Sequence, residues 1–428
     1  QLPPSFIAAG ITVNDEDRGL VFSSNYNESA DVEGCNCIVP QGSDATIPSG
    51  FTLKLFDNVR VESGATLTIE DNASLIQTNN VTNNTNSGSI RVERNASDLS
   101  ADDFIFWSSP VENFNLTGIT SPQTASAFAY DVNAPNMDGT AGSFVAASGI
   151  MASGKGYSVG VPNAFVASGF TAKFQGTPRN GAITIDALKA TSATLPSEEG
   201  RHWNLLGNPY PSAINVDEFL ATNEFLEGSV RLWSHGNPDS NPNPFYAGVT
   251  YNYGDQYVTY NRTGATPDLF KGNIASGQAF FVQVSETAAT TSSVAFNNTM
   301  RFDDAENAYD NSEFLGTSQP APLDDNNKQL IWLSLINQSG NASVALVGYV
   351  PNATNQKDRL YDAFNDGGEL SLYSTIDNAK FAIQGRALPF ADTDLVPLGV
   401  DLPSAGLYSI GIDHVKGAIF DAQQQGIY

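Results

Sequence analysis

An internal repeat between residues 40 and 77 is the feature that most constrains what this chain can fold into. Residues 49–55 (Ser-Gly-Phe-Thr-Leu-Lys-Leu) return as residues 63–69 (Ser-Gly-Ala-Thr-Leu-Thr-Ile), and residues 57–61 return as residues 71–75 at the same offset. Apolar and polar residues alternate inside each copy, which is the period of a half-buried strand. The Ser-Gly and Asp-Asn pairs between the copies favour turns. The pattern predicts a short ladder of stacked strands, similar to a small β-solenoid.

A second and longer repeat predicts two related β units. The first copy contains Phe-Trp-Ser-Ser-Pro-Val at residues 106–111, and the second contains Trp-Asn-Leu-Leu-Gly-Asn-Pro-Tyr-Pro-Ser at residues 203–212. Each copy then has an Ala-Ser-Gly that an Arg follows at a nearly equal distance, from Gly154 to Arg179 and from Gly277 to Arg301. The second copy also carries an insertion rich in Asn, Gly, Pro and Tyr. The apolar spacing of residues 216–226 predicts the one short helix.

Charge and composition exclude two classes of partner. The 428 residues include 46 acidic and 20 basic side chains, which gives a formal net charge of −26. A protein that binds nucleic acid by neutralising phosphates needs clustered Lys and Arg, and so does one that docks on an anionic membrane. No run of 18 apolar residues is present to insert into a bilayer. Polarity comes instead from Asn, Ser, Thr and Gly, which is typical of turn-rich, all-β, extracellular proteins.

These patterns predict an all-β, multidomain chain with five parts. We expect a β ladder at 1–100, the two β units at 101–195 and 196–310, and a linker at 311–329. Residues 330–428 have strand-like runs about ten residues apart with turn signals between them, which predicts an antiparallel β-sandwich. We expect this sandwich to be truncated, because the chain enters another strand at its last residues.

Several segments resemble large secreted proteins of the Bacteroidota that leave the cell by the type IX secretion system. The segments that carry the resemblance are residues 64–69, 106–111, 203–214, 274–282 and 383–390. The resemblance implies an extracellular or cell-surface location and contact with the type IX machinery during export. It also implies further strands and a sorting domain after Tyr428, so that this chain is either processed or part of a longer protein.

Aromatic residues of the second β unit are candidates for a binding surface. Seven aromatic side chains fall within a short, polar, Gly-rich region between residues 233 and 260. Exposed aromatics on a sheet stack on sugars or anchor a neighbouring subunit; the alternative is that they are cross-strand pairs that cover a sheet. The candidate binding residues are Trp233, Tyr246, Tyr251, Tyr253 and Tyr257.

Calcium is the one candidate cofactor. Residues 131–139 place oxygen side chains close together with a Gly for a sharp turn, and calcium takes six to eight such oxygens. The candidate ligands are Asp131, Asn133, Asn136 and Asp138. The match to an EF-hand is poor because no Glu closes the segment, and an Asn/Asp/Gly hairpin loop explains the same residues.

The only two cysteines, Cys35 and Cys37, are separated by one residue. A disulfide between them would close a small, strained ring that constrains little chain entropy. Two free thiols in a loop before a strand are the alternative.

The sequence predicts a non-catalytic, exported structural or adhesive protein of the cell surface. The three histidines are far apart in sequence, no Gly-x-Ser-x-Gly is present, and no carboxylate pair stands out among 46 acidic residues. We expect self-association, as in a filament or surface layer, or contact with other surface proteins. The alternative is a glycan-binding module that tethers cells or an enzyme to polysaccharide.

Overall fold

The computed structural model describes residues 11–14, 19–100, 103–136, 140–191, 202–234, 252–253, 257–314, 327–391 and 393–418. Strands dominate these residues, which confirms the predicted all-β class. The α-helix α1, Val216–Thr222, begins where the sequence predicts one, and the Asn215 side chain caps it by accepting a hydrogen bond from the Glu218 backbone N–H. Within the described ranges, no helix has the length and apolar character needed to cross a bilayer.

The first ten strands form a three-sided ladder. They span Ile11–Asn14 (β1), Gly19–Phe22 (β2), Val32–Gly34 (β3), Cys37–Val39 (β4), Asp44–Ile47 (β5), Thr52–Leu55 (β6), Val59–Val61 (β7), Thr66–Ile69 (β8), Ser74–Gln77 (β9) and Ile90–Ala96 (β10). Strands β2, β4 and β7 stack in parallel on one side, β5, β8 and β10 on the second, and β3, β6 and β9 on the third. The inward-facing Leu53, Leu67 and Leu75 are fully buried between the three sides.

One coil of the ladder is longer than the offset seen in the sequence, which corrects the predicted repeat unit. Asp44 pairs with Thr66 and Thr52 pairs with Ser74, so one coil runs from residue 44 to residue 65 and holds β5, β6 and β7. The turn residues Gly42 and Gly64, one coil apart, have φ of 81° and 80°, a region that favours Gly. The shorter offset instead joins β6 to β8, which lie on two different sides of the ladder. The echo arises because every side has the same alternating pattern.

The strands after the ladder run through several smaller sheets. They span Phe104–Trp107 (β11), Ala127–Pro135 (β12), Ala141–Ala146 (β13), Tyr157–Gly160 (β14), Phe170–Gly176 (β15), Ile183–Leu188 (β16), His202–Gly207 (β17), Ile214–Asn215 (β18), Leu226–Trp233 (β19), Asn252–Tyr253 (β20), Tyr257–Tyr260 (β21), Ala265–Thr266 (β22), Asn273–Ile274 (β23), Ala279–Val284 (β24) and Thr291–Phe296 (β25). Strands β11, β14, β12 and β13 form one sheet, and β16 pairs with β25, β17 with β24 and β18 with β23.

Reciprocal contacts relate the two halves of the longer repeat. The Ser108 backbone N–H donates to the Gly277 carbonyl at 2.8 Å, and the Gly207 backbone N–H donates to the Gly154 carbonyl at 2.8 Å. Gly154 and Gly277 are the glycines of the two Ala-Ser-Gly segments, and both have positive φ. Such an exchange is what two copies related by an approximate two-fold axis would make.

The last seven strands form one curled sheet. They span Gln329–Asn337 (β26), Asn341–Tyr349 (β27), Ala363–Phe364 (β28), Ser371–Ile376 (β29), Ala379–Arg386 (β30), Leu398–Asp401 (β31) and Tyr408–Lys416 (β32). Their order is β31-β29-β30-β27-β26-β32, with β28 beside β30 and β20 beside β27. Neighbouring strands are antiparallel, except that β27 runs parallel to both β30 and β20. The C-terminal part is therefore a mixed sheet.

The chain divides into two compact units. The first unit holds residues 1–225 and 273–318, and the second holds residues 226–272 and 319–428. Strands β19, β21 and β22, which the sequence repeat assigns to residues 196–310, thus belong to the second unit with the curled sheet. The five-part division drawn from the sequence stays a prediction.

Candidate ligand-binding cleft

The second unit contains a polar cleft with a volume of about 510 Å³. Ligand pockets in proteins commonly measure about 300–1,000 Å³, so the cleft has room for one small ligand or for part of a polymer. Most of its lining is polar. The lining includes Arg231, Tyr257, Thr259, Thr266, Pro267, Asn337, Asn341, Ser343, Asn365, Asp366, Gly367, Gly368, Glu369 and Pro403.

One wall is a face formed by the neighbouring strands β19, β21 and β22. Arg231 lies opposite Thr259, and Thr259 lies opposite Thr266, so these three side chains form one row across the sheet. Side chains two residues along a strand share a face, and the next row therefore holds Trp233 and Tyr257. Their rings meet edge to face, with centroids 4.9 Å apart and planes at 72°. This pair makes the aromatic end of the wall.

The other wall is a loop at residues 365–370, and hydrogen bonds hold it in place. The Asn365 side-chain oxygen accepts from the Gly367 backbone N–H and from the Ser371 hydroxyl, both at 2.9 Å. The Leu372 backbone N–H donates to the Ser343 hydroxyl at 3.0 Å. Gly367 has φ of 80°, which lets the chain turn sharply beside the cleft. The loop is thus pre-formed.

The turn between β26 and β27 completes this wall. Its Asn337 side-chain oxygen accepts from the backbone N–H groups of Ser339 and Asn341, each at 2.9 Å. These two bonds occupy the oxygen of the Asn337 amide, and Asn337 lines the cleft. The Asn341 side chain is exposed at the same place. Together they offer amide donors and an amide acceptor to a ligand.

An ion pair joins the two walls. The Arg231 guanidinium contacts the Asp366 carboxylate, and their side chains are 17% and 15% exposed. Pairing at this depth restricts both planar groups, and both residues line the cleft. Glu369 is an exposed carboxylate on the same loop. The three charges leave the cleft with an excess of one negative charge.

The structure brings two of the five predicted aromatic residues to this cleft. Tyr257 lines it, and the half-buried Trp233 lies beside Tyr257. Tyr253 lies in β20, which pairs with β27 at the cleft residues Asn341 and Ala342, and only its backbone is described. Tyr246 and Tyr251 lie outside the described residues.

Three of the four predicted calcium ligands lie in the described part of the chain, and the calcium site stays a prediction. Asp131 and Asn133 lie on β12, where the Asp131 side chain accepts from the Asn133 backbone N–H at 2.9 Å. The Asn133 side-chain oxygen accepts from the Thr191 backbone N–H at 2.8 Å. Asn136 follows β12, and Asp138 lies outside the described residues. Among the described residues, no group of three or more His, Cys, Asp or Glu is arranged to hold a metal ion.

The two cysteines are free thiols, so the candidate disulfide is not formed. Cys37 points into the ladder at 0% exposure, whereas Cys35 lies in the preceding bend and is exposed. The two side chains therefore face different surroundings, although one residue separates them. Burial raises the pKa of the Cys37 thiol.

Sequence reasoning missed the polar half of the cleft. Arg231 and Asp366 are far apart in the sequence, and neither belongs to a motif. The one local signal is Asn365-Asp366-Gly367-Gly368, which predicts a turn without indicating what it faces.

A comparison with protein-family models matches residues 10–428 to a domain of unknown function, DUF8693. The chain belongs to the DUF8693 family. The DUF8693 match covers nearly the whole chain and includes every residue that lines the cleft. No curated protein matches this DUF8693 chain, and no solved structure does.

Proposed function

We propose that this protein is an exported, non-catalytic adhesive protein of the cell surface, and that its second unit binds a saccharide in the cleft. The observation that carries the proposal is the position of Tyr257. This aromatic residue, singled out from the sequence, lines a polar cleft beside the Arg231–Asp366 pair. The all-β architecture, the net charge of −26 and the resemblance to secreted proteins support export and a surface location.

The chemistry of the lining suits a sugar. A sugar ring presents hydroxyl groups at its rim, which planar amide, carboxylate and guanidinium groups bind in pairs. Asn341, Asp366 and Arg231 supply these three group types within one cleft. A sugar also presents an apolar C–H face, and the Tyr257 ring offers a surface against which it can stack.

Charge favours a neutral saccharide over an acidic one. Arg231 is already paired with Asp366, and Glu369 adds a further negative charge to the cleft. A uronic acid or sulfated sugar would meet this charge together with the field of a protein of net charge −26. A neutral polysaccharide meets no such repulsion.

Retention on insoluble neutral polysaccharides tests the proposal. The purified protein would be incubated with microcrystalline cellulose, chitin and insoluble starch, and bound and free fractions measured. Tyr257→Ala and Asn341→Ala should each weaken retention about 30-fold, which corresponds to the loss of about 2 kcal/mol expected at a binding hot spot. Phe56→Ala is the matched control, because Phe56 is an aromatic residue of the first unit with 58% exposure. Equal retention of Tyr257→Ala and wild type would refute the cleft as the site.

The aromatic insertion needs its own test. Tyr251→Ala and Tyr253→Ala remove two candidates close in sequence to Tyr257. Loss of retention in these variants, with Tyr257→Ala unaffected, would move the site from the cleft to the insertion.

Self-association is the second candidate function. The specific observation that favours it is strand β32, which is the last strand of the curled sheet within the part of the chain that the structure describes. Its Ile410 and Val415 side chains are 41% and 38% exposed, and an edge strand with apolar side chains is a template for pairing with another chain. Negative-stain electron microscopy with and without a calcium chelator tests it. Ordered filaments or sheets would support assembly, and separate particles under both conditions would oppose it.

A further inference from the structure

One segment of the cleft wall is held at both ends by side chains outside the cleft. Thr266 and Pro267 line the cleft. On one side of them, the Ala265 carbonyl accepts a hydrogen bond from the Trp332 indole N–H at 2.8 Å. On the other side, the half-buried Asp268 lies against β32. The position of the Thr266–Pro267 wall therefore depends on the side chains that bind Ala265 and Asp268.

Two cations hold the Asp268 carboxylate. His414 Nε2 lies 3.1 Å from Asp268 Oδ2, and Lys416 Nζ lies 2.6 Å from the same oxygen. The His414 ring also stacks on the Trp332 ring, with centroids 4.1 Å apart and planes at 10°. Trp332, which binds the Ala265 carbonyl, is thus in contact with His414, which binds Asp268. We call Asp268, Trp332, His414 and Lys416 the clasp.

A β-bulge in β32 determines the direction in which the His414 and Lys416 side chains of the clasp point. Trp332 pairs with His414 and Leu333 pairs with Ile412, so Asp413 is an extra residue without a partner on β26. A bulge shifts the alternation of side chains and re-aims those that follow it. In regular alternation His414 would share a face with Ile412. The bulge instead places His414 and Lys416 on the face of Trp332, toward Asp268.

The two contacts of the His414 ring require its protonated form. Nδ1 lies 2.7 Å from Asp413 Oδ2, while Nε2 faces Asp268. A neutral imidazole has one N–H and can donate to one carboxylate only, so its second nitrogen would place a lone pair against carboxylate oxygen. The imidazolium donates to both. Loss of the proton therefore removes the His414 hydrogen bond to either Asp268 or Asp413.

The two carboxylates around the ring favour the proton, whereas the Lys416 ammonium opposes it. Asp413 and Lys416 face it from its own strand, and Asp268 faces it from the segment after β22. Burial by itself would lower the pKa of His414, but the hydrogen bonds to Asp268 and Asp413 outweigh it and raise that pKa. Burial by itself would raise the pKa of Asp268, but the bonds from His414 and Lys416 lower it.

We propose that His414 is a positioning residue that fixes the Thr266–Pro267 wall of the cleft while it is protonated, so that ligand binding weakens in alkaline solution. The expectation for binding rests on the saccharide function proposed above. A raised histidine pKa means that the clasp is complete below the ordinary histidine value of about 6.5. It is lost as pH rises through the raised value.

Hydrogen exchange of the protein without ligand tests the clasp. Peptides spanning residues 264–272 would be followed at pH 6 and at pH 9, after correction for the intrinsic pH dependence of exchange. In wild type we expect protection to fall about tenfold at pH 9, the size of one charge-assisted hydrogen bond. His414→Gln should exchange at the faster rate at both pH values. Asp268→Asn, a smaller change, should also remove the pH step.

His202→Gln is the matched control, because His202 is a buried histidine of the first unit. It should retain the wild-type pH step in residues 264–272. The same protection at pH 6 and pH 9 in wild type would overturn the proposal, and so would an unchanged step in both His414→Gln and Asp268→Asn.

Retention on cellulose, chitin and insoluble starch at the two pH values separates this proposal from the proposed function. Wild type should bind several-fold less at pH 9, and His414→Gln should bind weakly at both pH values. A pH-independent retention would overturn the proposed role of His414 in binding. No retention at any pH would contradict the saccharide function, and hydrogen exchange would then decide on the clasp alone.

Discussion

Replacing Arg301 with methionine should destabilise the first unit strongly. Arg301 is 0% exposed, and burial lowers its pKa to about 10. Because this value is still well above neutral pH, the guanidinium stays cationic there. Its Nε donates to the Ser212 hydroxyl at 2.9 Å and one terminal nitrogen donates to the Asn298 side-chain oxygen at 2.9 Å. The other terminal nitrogen donates to the Leu75 carbonyl of the ladder, and the guanidinium carbon lies 4.6 Å from the centre of the Tyr210 ring.

The expected cost follows from the acceptors that the substitution leaves behind. Methionine fills a similar volume but donates no hydrogen bond, so the Ser212 hydroxyl and the Leu75 carbonyl lose the Arg301 donors. A buried acceptor without a partner costs about 1–3 kcal/mol. Removing a buried cation returns part of its desolvation cost. We expect Arg301→Met to lower the free energy of unfolding of the first unit by about 3 kcal/mol.

Urea unfolding followed by hydrogen exchange in the first unit measures this effect. Arg60→Met is the control, because the Arg60 side chain is 60% exposed and its ion pair is with Glu62 on the surface. It should change the free energy of unfolding by less than about 0.5 kcal/mol. Arg301→Lys should fall between the two, since a single ammonium cannot reach all three acceptors. An Arg301→Met protein as stable as the Arg60→Met control would refute the reasoning.

Three further outcomes can be measured on single variants or on the wild type. Burial raises the pKa of Asp362 to about 6, although backbone N–H groups oppose it, so stability is present at low pH and lost as pH rises through 6. The loss amounts to about 3 kcal/mol, and the pH dependence of the urea midpoint should lack this step in Asp362→Asn. Leu67→Ala should cost about 3–5 kcal/mol in urea unfolding, whereas Gly64→Ala, at φ of 80° without a close neighbour, should cost about 1 kcal/mol. Maleimide should label the exposed Cys35 in the native protein and reach the buried Cys37 only after unfolding, as mass spectrometry of the two adducts would show.

Local patterns carry most of what could be predicted about the fold. Alternation at 49–55 and 63–69 identifies strands because burial of one strand face needs only a two-residue period. The coil length does not follow from it, since all three sides share that period. In the longer repeat too, the sequence alone does not determine which residues of the two copies correspond in the structure. Aligning Trp107 with Trp203 is natural in sequence, but the bridges Trp107–Gln278 and Leu206–Lys155 make Leu206 the counterpart of Trp107.

The candidate site was predictable only in its aromatic part. Tyr257 stands out because it lies in an aromatic-rich segment, whereas Arg231 and Asp366 are single charged residues among many. Their pairing depends on how β19 and the loop after β28 meet in the second unit, which is a tertiary contact. His414 gave no signal either, because the bulge that aims it toward Asp268 is a matter of strand register.

The three-strand coil sets a rule for how the ladder can change in length. Adding or removing one whole coil would leave every side chain on its original side, and would lengthen or shorten the stack by the spacing of neighbouring strands, about 4.8 Å. A duplication of residues 49–62, the unit most visible in the sequence, would instead move every later strand to a different side and break its pairing. Length variants engineered by whole coils, such as a duplication of residues 44–65, should therefore fold, which makes the ladder a molecular spacer of adjustable height.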